Sequence, residues 1–385
     1  MANVRMKASK TYSRKVYIST NSTCNLNCKY CFENEKVKFE FNIDEALNIL
    51  LEQLSTQTIY GTQISLRGGE PFMVFHKIKH LCESLWSQDI KEYYHIHITT
   101  NGTLIHGDIQ KWLSSNRDKI TLKLSLDGDR KSSEINRPKS FDLIDFHFLL
   151  NTWPEMKVNT TITAETLPYL AENIKFINSL GFKHITPHFS IMTDWKNCNL
   201  GNTLYKQLQE LHNFYLKNPD IEPCSFFLSD ISCTLNDKSC HQACNSGEMK
   251  AYDMQTRKYY PCYMCFPSIG GEKIAEEFKK LDFTNLEELE EYPCKACTFL
   301  NLCITCYAEN YITRGSLSRR DMSLCKYQKI VFAVLFNFEY NRILSLTNPS
   351  PNDVLKMMAI KKHYKEIENI LKEELQITSQ VEVNT

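Results

Sequence analysis

The chain has 385 residues, enough to bury a substantial core and to hold one large domain with a smaller one. Lys plus Arg and Asp plus Glu each number 45, so the formal net charge is zero and no basic field points to nucleic acid or an anionic membrane. No apolar run is long enough to span a bilayer, and the polar start from Met1 to Arg14 lacks a signal-peptide core, so the expected compartment is the cytoplasm.

Short β-rich runs alternate with longer helical patterns through the first half. Val16–Thr20, Gln63–Arg67, Tyr94–Thr99, Thr121–Leu126, Lys157–Ile162 and Lys183–His188 read as strands. Between them, Ile43–Leu54, Lys77–Trp86, Asp108–Ser115, Phe141–Trp153 and Leu170–Leu180 carry apolar residues at helical spacing, and Leu204–Tyr215 repeats that spacing. The alternation predicts an α/β fold: a parallel sheet of six βα units with right-handed crossovers. Chemistry in such sheets collects at the C-terminal ends of the strands. Cys24 to Cys31 follows the first strand, Gly68-Gly69-Glu70-Pro71 the second, Thr100-Asn101-Gly102 the third and Asp127-Gly128 the fourth.

Beyond about Asp220 the pattern breaks into short segments punctuated by cysteine, with a hairpin expected across Ala251–Tyr260. A mostly apolar helix is expected from Tyr327 to Leu344 and a charged amphipathic one from Asp353 to Leu375, after which the terminus frays. The acidic run Glu287–Glu291 reads as a solvated helix face. His95 and His97 share one strand face, where such residues more often pack or hydrogen-bond than bind metal.

The chain holds 16 cysteines, and a reducing compartment favours metal binding over disulfides for clustered thiols. Cys82, Cys198 and Cys224 are scattered, and Cys233 reads as a core thiol; the others are grouped. Cys24-x-x-x-Cys28-x-x-Cys31 lies in a loop whose Asn21, Ser22, Asn25 and Asn27 suit turns. Three thiolates leave one iron of a [4Fe–4S] cluster without a protein ligand and open to a small molecule. Zinc is the competing reading, although structural zinc sites are usually closed by a fourth ligand.

The spacing and its surroundings resemble the radical SAM superfamily, whose signature is C-x-x-x-C-x-aromatic-C, with Tyr30 in the aromatic slot. The resemblance implies a partial (β/α)6 barrel in which Cys24, Cys28 and Cys31 hold a [4Fe–4S] cluster that binds S-adenosylmethionine (SAM) and cleaves it to a 5′-deoxyadenosyl radical. Gly68-Gly69-Glu70-Pro71 is similar to the family's GGEP turn and Ser125-Leu126-Asp127-Gly128 to its SxDG segment. Gly68, Gly69, Glu70, Asn101, Ser125 and Asp127 are therefore expected at SAM. Arg137 stands where relatives often keep arginine; a surface arginine is the plainer expectation.

In the second half, Cys294-x-x-Cys297-x5-Cys303-x-x-Cys306 precedes Cys325, and Cys240-x-x-x-Cys244 and Cys262-x-x-Cys265 lie upstream. These nine thiols exceed the eight that two four-ligand sites need; paired zinc ribbons are the alternative to iron–sulfur clusters. After a radical SAM barrel the arrangement resembles a SPASM domain, which implies two auxiliary [4Fe–4S] clusters. Cys294, Cys297, Cys303 and Cys325 would hold the outer one, and Cys240, Cys244, Cys262 and Cys306 the inner, with Cys265 a substitute ligand or free. Cys303 and Cys306 stand one residue closer than in the family's pattern. Tyr263 occupies the position of the aspartate base of sulfatase-maturing relatives, which argues against formylglycine formation; packing is its plainer role.

The expected organisation is a tail (1–14), a partial barrel (15–220), a cysteine-rich domain (221–330) and C-terminal helices with a tail (331–385). The leading functional expectation is modification of a ribosomally made precursor peptide, by cross-linking, epimerisation or a related C–H step. The competing readings are oxidation of a small-molecule alcohol and a non-catalytic iron–sulfur or zinc protein that binds a peptide for a partner enzyme. A reductant such as flavodoxin or ferredoxin is implied, and no catalytic residue beyond the ligands is assigned. The short stretch before the first strand leaves no room for a leader-binding winged helix, so recognition would use the barrel, the C-terminal helices or a separate leader-binding protein.

Overall fold

In the computed structural model, which describes residues 12–33, 36, 38–196, 199–236, 246–285 and 288–375, the strands over residues 62–68, 94–100 and 120–125 alternate apolar and polar side chains. Ile120, Leu122 and Leu124 are fully buried, and Thr121, Lys123 and Ser125 lie between them on the opposite face. Ile64 and Leu66 repeat this against Gln63 and Arg67, and Ile96 and Ile98 against His95, His97 and Thr99. One face thus packs apolar side chains under helices. The other is polar and basic, unlike the doubly apolar strands usual in parallel sheets.

The elements run β1 (Arg14–Asn21), α1 (Ile43–Gln53), β2 (Thr62–Gly68), α2 (Phe75–Trp86), β3 (Tyr94–Thr100), α3 (Asp108–Ser115), β4 (Ile120–Ser125), α4 (Arg130–Asn136), α5 (Phe146–Thr152), β5 (Lys157–Ile162), α6 (Leu170–Ser179), β6 (His184–Phe189) and α7 (Gly201–Lys217). Then follow β7 (Lys250–Asp253), β8 (Lys258–Tyr260), α8 (Pro267–Gly270), α9 (Glu272–Phe278), α10 (Tyr307–Arg314), α11 (Met322–Leu344) and α12 (Pro351–Leu375). The sheet order is β6-β5-β4-β3-β2-β1-β7-β8, with β1 to β6 paired in parallel. This is the expected α/β partial barrel.

Two expectations change in detail. The helix expected over Phe141–Trp153 is a 3-10 turn at Phe141–Leu143 and a separate α5, because the Asp145 carboxylate accepts the Phe148 amide at 3.0 Å and starts a new helix there. The hairpin does not stand apart from the barrel: β7 pairs in parallel with β1, Val16 opposite Lys250 and Ile18 opposite Tyr252. Ser19 Oγ donates to Asp253 at 2.9 Å and accepts the Met254 amide at 2.8 Å, fixing that register.

The C-terminal helices pack back on the body. Tyr327, Ile330, Val331, Val334 and Phe338 of α11 join the barrel's core, whereas Phe332, Leu335 and Phe336 form a second core with Phe299 and with Ala359 and Ile370 of α12. A third core gathers Met249, Tyr260, Met264, Phe266, Phe278 and Tyr307 around the cysteine-rich segment. Among the described residues no helix is long and apolar enough to cross a membrane.

The polar face carries an electrostatic cost. His95 bonds Thr121 at 2.6 Å, the ordinary role expected of it. His97 is partly buried beside Arg67, Lys123, His95 and Lys157, and desolvation first, then these cations, hold its imidazole down at about 3 from the usual 6.5. The unfolded chain binds this proton below about pH 6.5 and the native chain does not, so stability present above pH 6.5 is lost as pH falls towards 3. Urea unfolding of the apoprotein should show a shallower acid-side loss for His97→Gln than for the parent; parallel curves would contradict this assignment.

Candidate radical SAM site

The cysteine loop is seated on the turn after β2. Gly69 N–H donates to Asn21 O at 3.0 Å and Glu70 N–H to Thr23 O at 2.9 Å, while Asn21 Nδ2 donates to Glu70 O at 3.0 Å. A Cβ on Gly68 would stand 2.2 Å from Asn21 O, and one on Gly69 would stand 2.3 Å from Thr23 O. The paired glycines therefore admit the backbone that launches the cysteine loop.

Glu70 is buried, and its carboxylate accepts the Phe72 amide at 3.2 Å, the Thr100 hydroxyl at 2.8 Å and the Asn101 amide at 2.8 Å. Burial pushes its pKa up to about 7 against these hydrogen bonds. Glu70 thereby ties the β2 turn to the end of β3. Asn101 continues the link: its Nδ2 donates to Asn25 Oδ1 at 3.0 Å and approaches Cys24 Sγ at 3.8 Å. The TNG segment thus reaches the first cysteine.

The SxDG segment reaches the other side of the loop. Asp127 is buried, and Oδ1 accepts the Thr161 amide at 2.8 Å while Oδ2 accepts Tyr30 Oη at 2.7 Å and Arg137 Nε at 2.9 Å. Arg137 Nη1 donates to Cys28 Sγ at 3.8 Å, and its guanidinium lies 5.2 Å from the Tyr30 ring centroid. The surface arginine expected from sequence is instead nearly buried, with a side chain 11% exposed and an ion pair to Asp127. Desolvation acts against its charge, yet Asp127, Tyr30 and Cys28 together hold its pKa above the usual value. Burial first, opposed by Arg137, pushes the Cys28 thiol up to about 11. Cys24, Cys28 and Cys31 lie within electrostatic reach of one another.

The late cysteines form two neighbourhoods. Cys294, Cys297, Cys303 and Cys325 act on one another electrostatically around Arg320. Arg320 donates to Cys303 O at 2.7 Å and pairs with Glu290 at 2.6 Å. That pair overturns the solvated face expected for Glu287–Glu291: Glu290 is 7% exposed, Leu289 is fully buried and no helix forms over the described part of the run. Glu287 lies outside the described residues. In the second neighbourhood, Cys262 and Cys265 stand 3.5 Å apart at Sγ, with Cys306 close to both Cys265 and Tyr263. Cys240, Cys244 and Cys198 lie outside the described residues.

One cavity of about 1130 Å³ joins these features. Cys24, Cys28 and Cys31 border it, as do Cys262, Cys294, Cys297, Cys303, Cys306 and Cys325, with Gly68, Gly69, Glu70, Asn101 and Ser125. Asp127 sits behind that wall and acts through Tyr30 and Arg137. Among the described residues no three His, Cys, Asp or Glu side chains converge on a single metal ion. The donor sets are soft thiols bordering a large space, which suits iron–sulfur clusters held by cysteine. Four buried atoms of wall residues, Glu33 Oε2, Arg67 Nε, Thr99 Oγ1 and Arg320 Nε, have no hydrogen-bond partner, as befits a ligand site. Sequence reasoning had not singled out Arg67, Thr99 or Lys123; their signal was the polar half of the strand alternation.

Residues 18–145, a third of the chain, match the family model described as the Radical SAM superfamily. An uncharacterized protein of Methanocaldococcus jannaschii is 24% identical over 296 residues, spanning 74% of this chain and 96% of its own. The solved structure of native anSMEcpe with bound AdoMet superposes with a TM-score of 0.62 at 20% identity, over 86% of this chain and 98% of that one. Streptococcus suis SuiB bound to precursor peptide SuiA gives 0.57 at 16%, over 81% and 76%. At such identities the structural likeness concerns the fold.

Two substitutions test the geometry. Arg137→Met strands the Asp127 carboxylate and should lower the unfolding free energy by about 3–5 kcal/mol, with less lost when Asp127→Asn is added. Equal losses in the single and double variants would show that the pair is not coupled. Gly69→Ala forces the cysteine loop off its seat and should reduce the iron retained after anaerobic reconstitution; iron content equal to the parent's would refute the close approach.

Proposed function

We propose, starting from the radical SAM segment at residues 18–145, that this protein is a radical SAM enzyme that modifies a ribosomally made peptide. The observation that carries the reading is the convergence of Cys24, Cys28 and Cys31 with six C-terminal cysteines on one cavity. In this reading Cys24, Cys28 and Cys31 hold a [4Fe–4S] cluster, and the two C-terminal neighbourhoods hold auxiliary clusters. When bound, the first cluster and SAM supply a 5′-deoxyadenosyl radical for hydrogen abstraction, given one electron from a reductant such as flavodoxin or ferredoxin.

The chain's own residues position this chemistry. Glu70 and Asn101 keep the loop's Cys24 side against β3, and Asp127 with Arg137 and Tyr30 keeps its Cys28 side against β4 and β5. Gly68, Gly69, Glu70, Asn101 and Ser125 border the cavity and are the SAM-side wall; Asp127 supports it from behind. The positive guanidinium of Arg137 beside Cys28 favours thiolate there and offers a partner for a carboxylate.

Support for a peptide comes from the fold of SuiB, solved with its precursor peptide, and of anSMEcpe, solved also with a peptide bound. Tyr263, packed against Tyr17 with ring centroids 5.7 Å apart, is no carboxylate base, which separates this site from formylglycine chemistry as the resemblance describes it.

The test uses anaerobically reconstituted protein with reductant and SAM, beside a variant carrying Cys24→Ala, Cys28→Ala and Cys31→Ala. The parent should release 5′-deoxyadenosine and the variant none, and peptides encoded beside the gene should change mass only with the parent. Absence of release from a fully loaded parent would reject the reading.

A further inference from the structure

Three adjacent strands place an unusual set of donors at one level of the polar face. Leu66 pairs with Ile98 and Thr99 with Lys123, so Arg67 of β2, Thr99 of β3 and Lys123 of β4 stand side by side. All three border the cavity. Arg67 Nε and Thr99 Oγ1 are buried without a hydrogen-bond partner, and neither Arg67 nor Lys123 has a carboxylate in an ion pair among the described residues. The strongest charged neighbours of Lys123 are Arg67 and Lys157, and those of the partly buried His97 just beneath are again Arg67 and Lys123. Burial, with these cations, brings Lys123 down to about 8, so it still carries its proton at neutral pH.

Two neighbouring cations with no anionic partner are expensive in a partly desolvated wall, and a fold does not gain stability from them. An oxyanion would repay that cost. Arg67 is also held in place: its guanidinium lies 4.3 Å from the Tyr263 ring centroid and 5.5 Å from that of Tyr17. Held so, its unpaired Nε is a fixed donor. The level lies two residues below Gly69, Asn101 and Ser125, about 7 Å deeper into the barrel by strand rise. Arg137, on the loop side and already against Cys28, is a separate cation.

We infer that Arg67, Thr99 and Lys123 form an oxyanion subsite for the substrate, taking a carboxylate or phosphate group carried by the peptide, beneath the SAM layer. The inference deepens the peptide reading and rests on it. Tyr263 then acts as a positioning residue, fixing the guanidinium where a sulfatase-maturing relative would carry a base.

The experiment measures dissociation constants of rhodamine-labelled pentapeptides on the reconstituted holoenzyme with SAM present. The probes are Gly-Gly-Gln-Gly-Gly-amide, its Glu and phosphoserine counterparts, and the Gln peptide with a free C-terminal carboxylate. At least one anionic probe should bind about tenfold more tightly than the neutral amide, and which one does so separates side-chain carboxylate, terminal carboxylate and phosphate. Arg67→Gln and Lys123→Gln should each abolish that preference. Lys123→Gln, which removes a charge the fold must tolerate, should also melt about 2–4 °C higher without ligand, a gain that a structural role would not produce. Equal binding of all four probes would overturn the subsite, as would a preference surviving in both variants, or loss of SAM binding in Lys123→Gln with the preference intact. Because binding needs no SAM cleavage, a preference without 5′-deoxyadenosine release rejects the radical reading and keeps the subsite. Release without a preference does the reverse.

Discussion

The buried contact between Asp127 and Arg137 is the constraint on which the site depends. It joins a strand end, the first turn beyond α4 and the cysteine loop, because the same carboxylate takes the Tyr30 hydroxyl and the same guanidinium reaches Cys28. Neither charge is tolerable alone at that depth, so each enforces the other's position. On the opposite flank Glu70 does similar work with neutral partners, at the cost of a carboxyl whose burial raises its pKa. A loop rich in asparagine, with little apolar side-chain area, is thereby held between two polar networks, one per flank, and its three thiols face one space.

Much of this was legible in the residues. The two-residue and helical periods located the six barrel strands, because each apolar strand face has helices to pack against. Cysteine spacing located the loop for a chemical reason, since thiols three and four apart in a turn-rich segment converge. The grouping of Cys294, Cys297, Cys303 and Cys325 followed from the resemblance, and their mutual proximity around Arg320 agrees with it. What sequence could not carry was partnership across long separations. Arg137 read as a surface residue because nothing near it in the chain needs a cation; its partner Asp127 is ten residues away, across α4. Glu290 read as solvated because Arg320 is thirty residues distant. The break before α5 was missed because Asp145 sits inside an apolar periodicity that masks its capping role.

The polar strand faces reverse the usual economy of a parallel sheet. His97 and Lys123 carry desolvation costs that an apolar interior would avoid. The compensating stability comes from the apolar face, whose core α11 joins while also contributing to a second core with α12. Stability and site chemistry are thus divided between the two faces of the same strands.

The pairing of β7 with β1 has a consequence for how the chain can be cut or assembled. In a barrel ended before Lys250, β1 would become an edge strand, presenting an open ladder with Val16 and Ile18 beside it. Open edges of this kind template intermolecular pairing. The cysteine-rich half therefore shields the barrel against self-association as well as bordering its cavity. During synthesis the six-strand unit must wait for the hairpin before its β1 edge is covered, which makes the interval between those two events an aggregation-prone stage of folding.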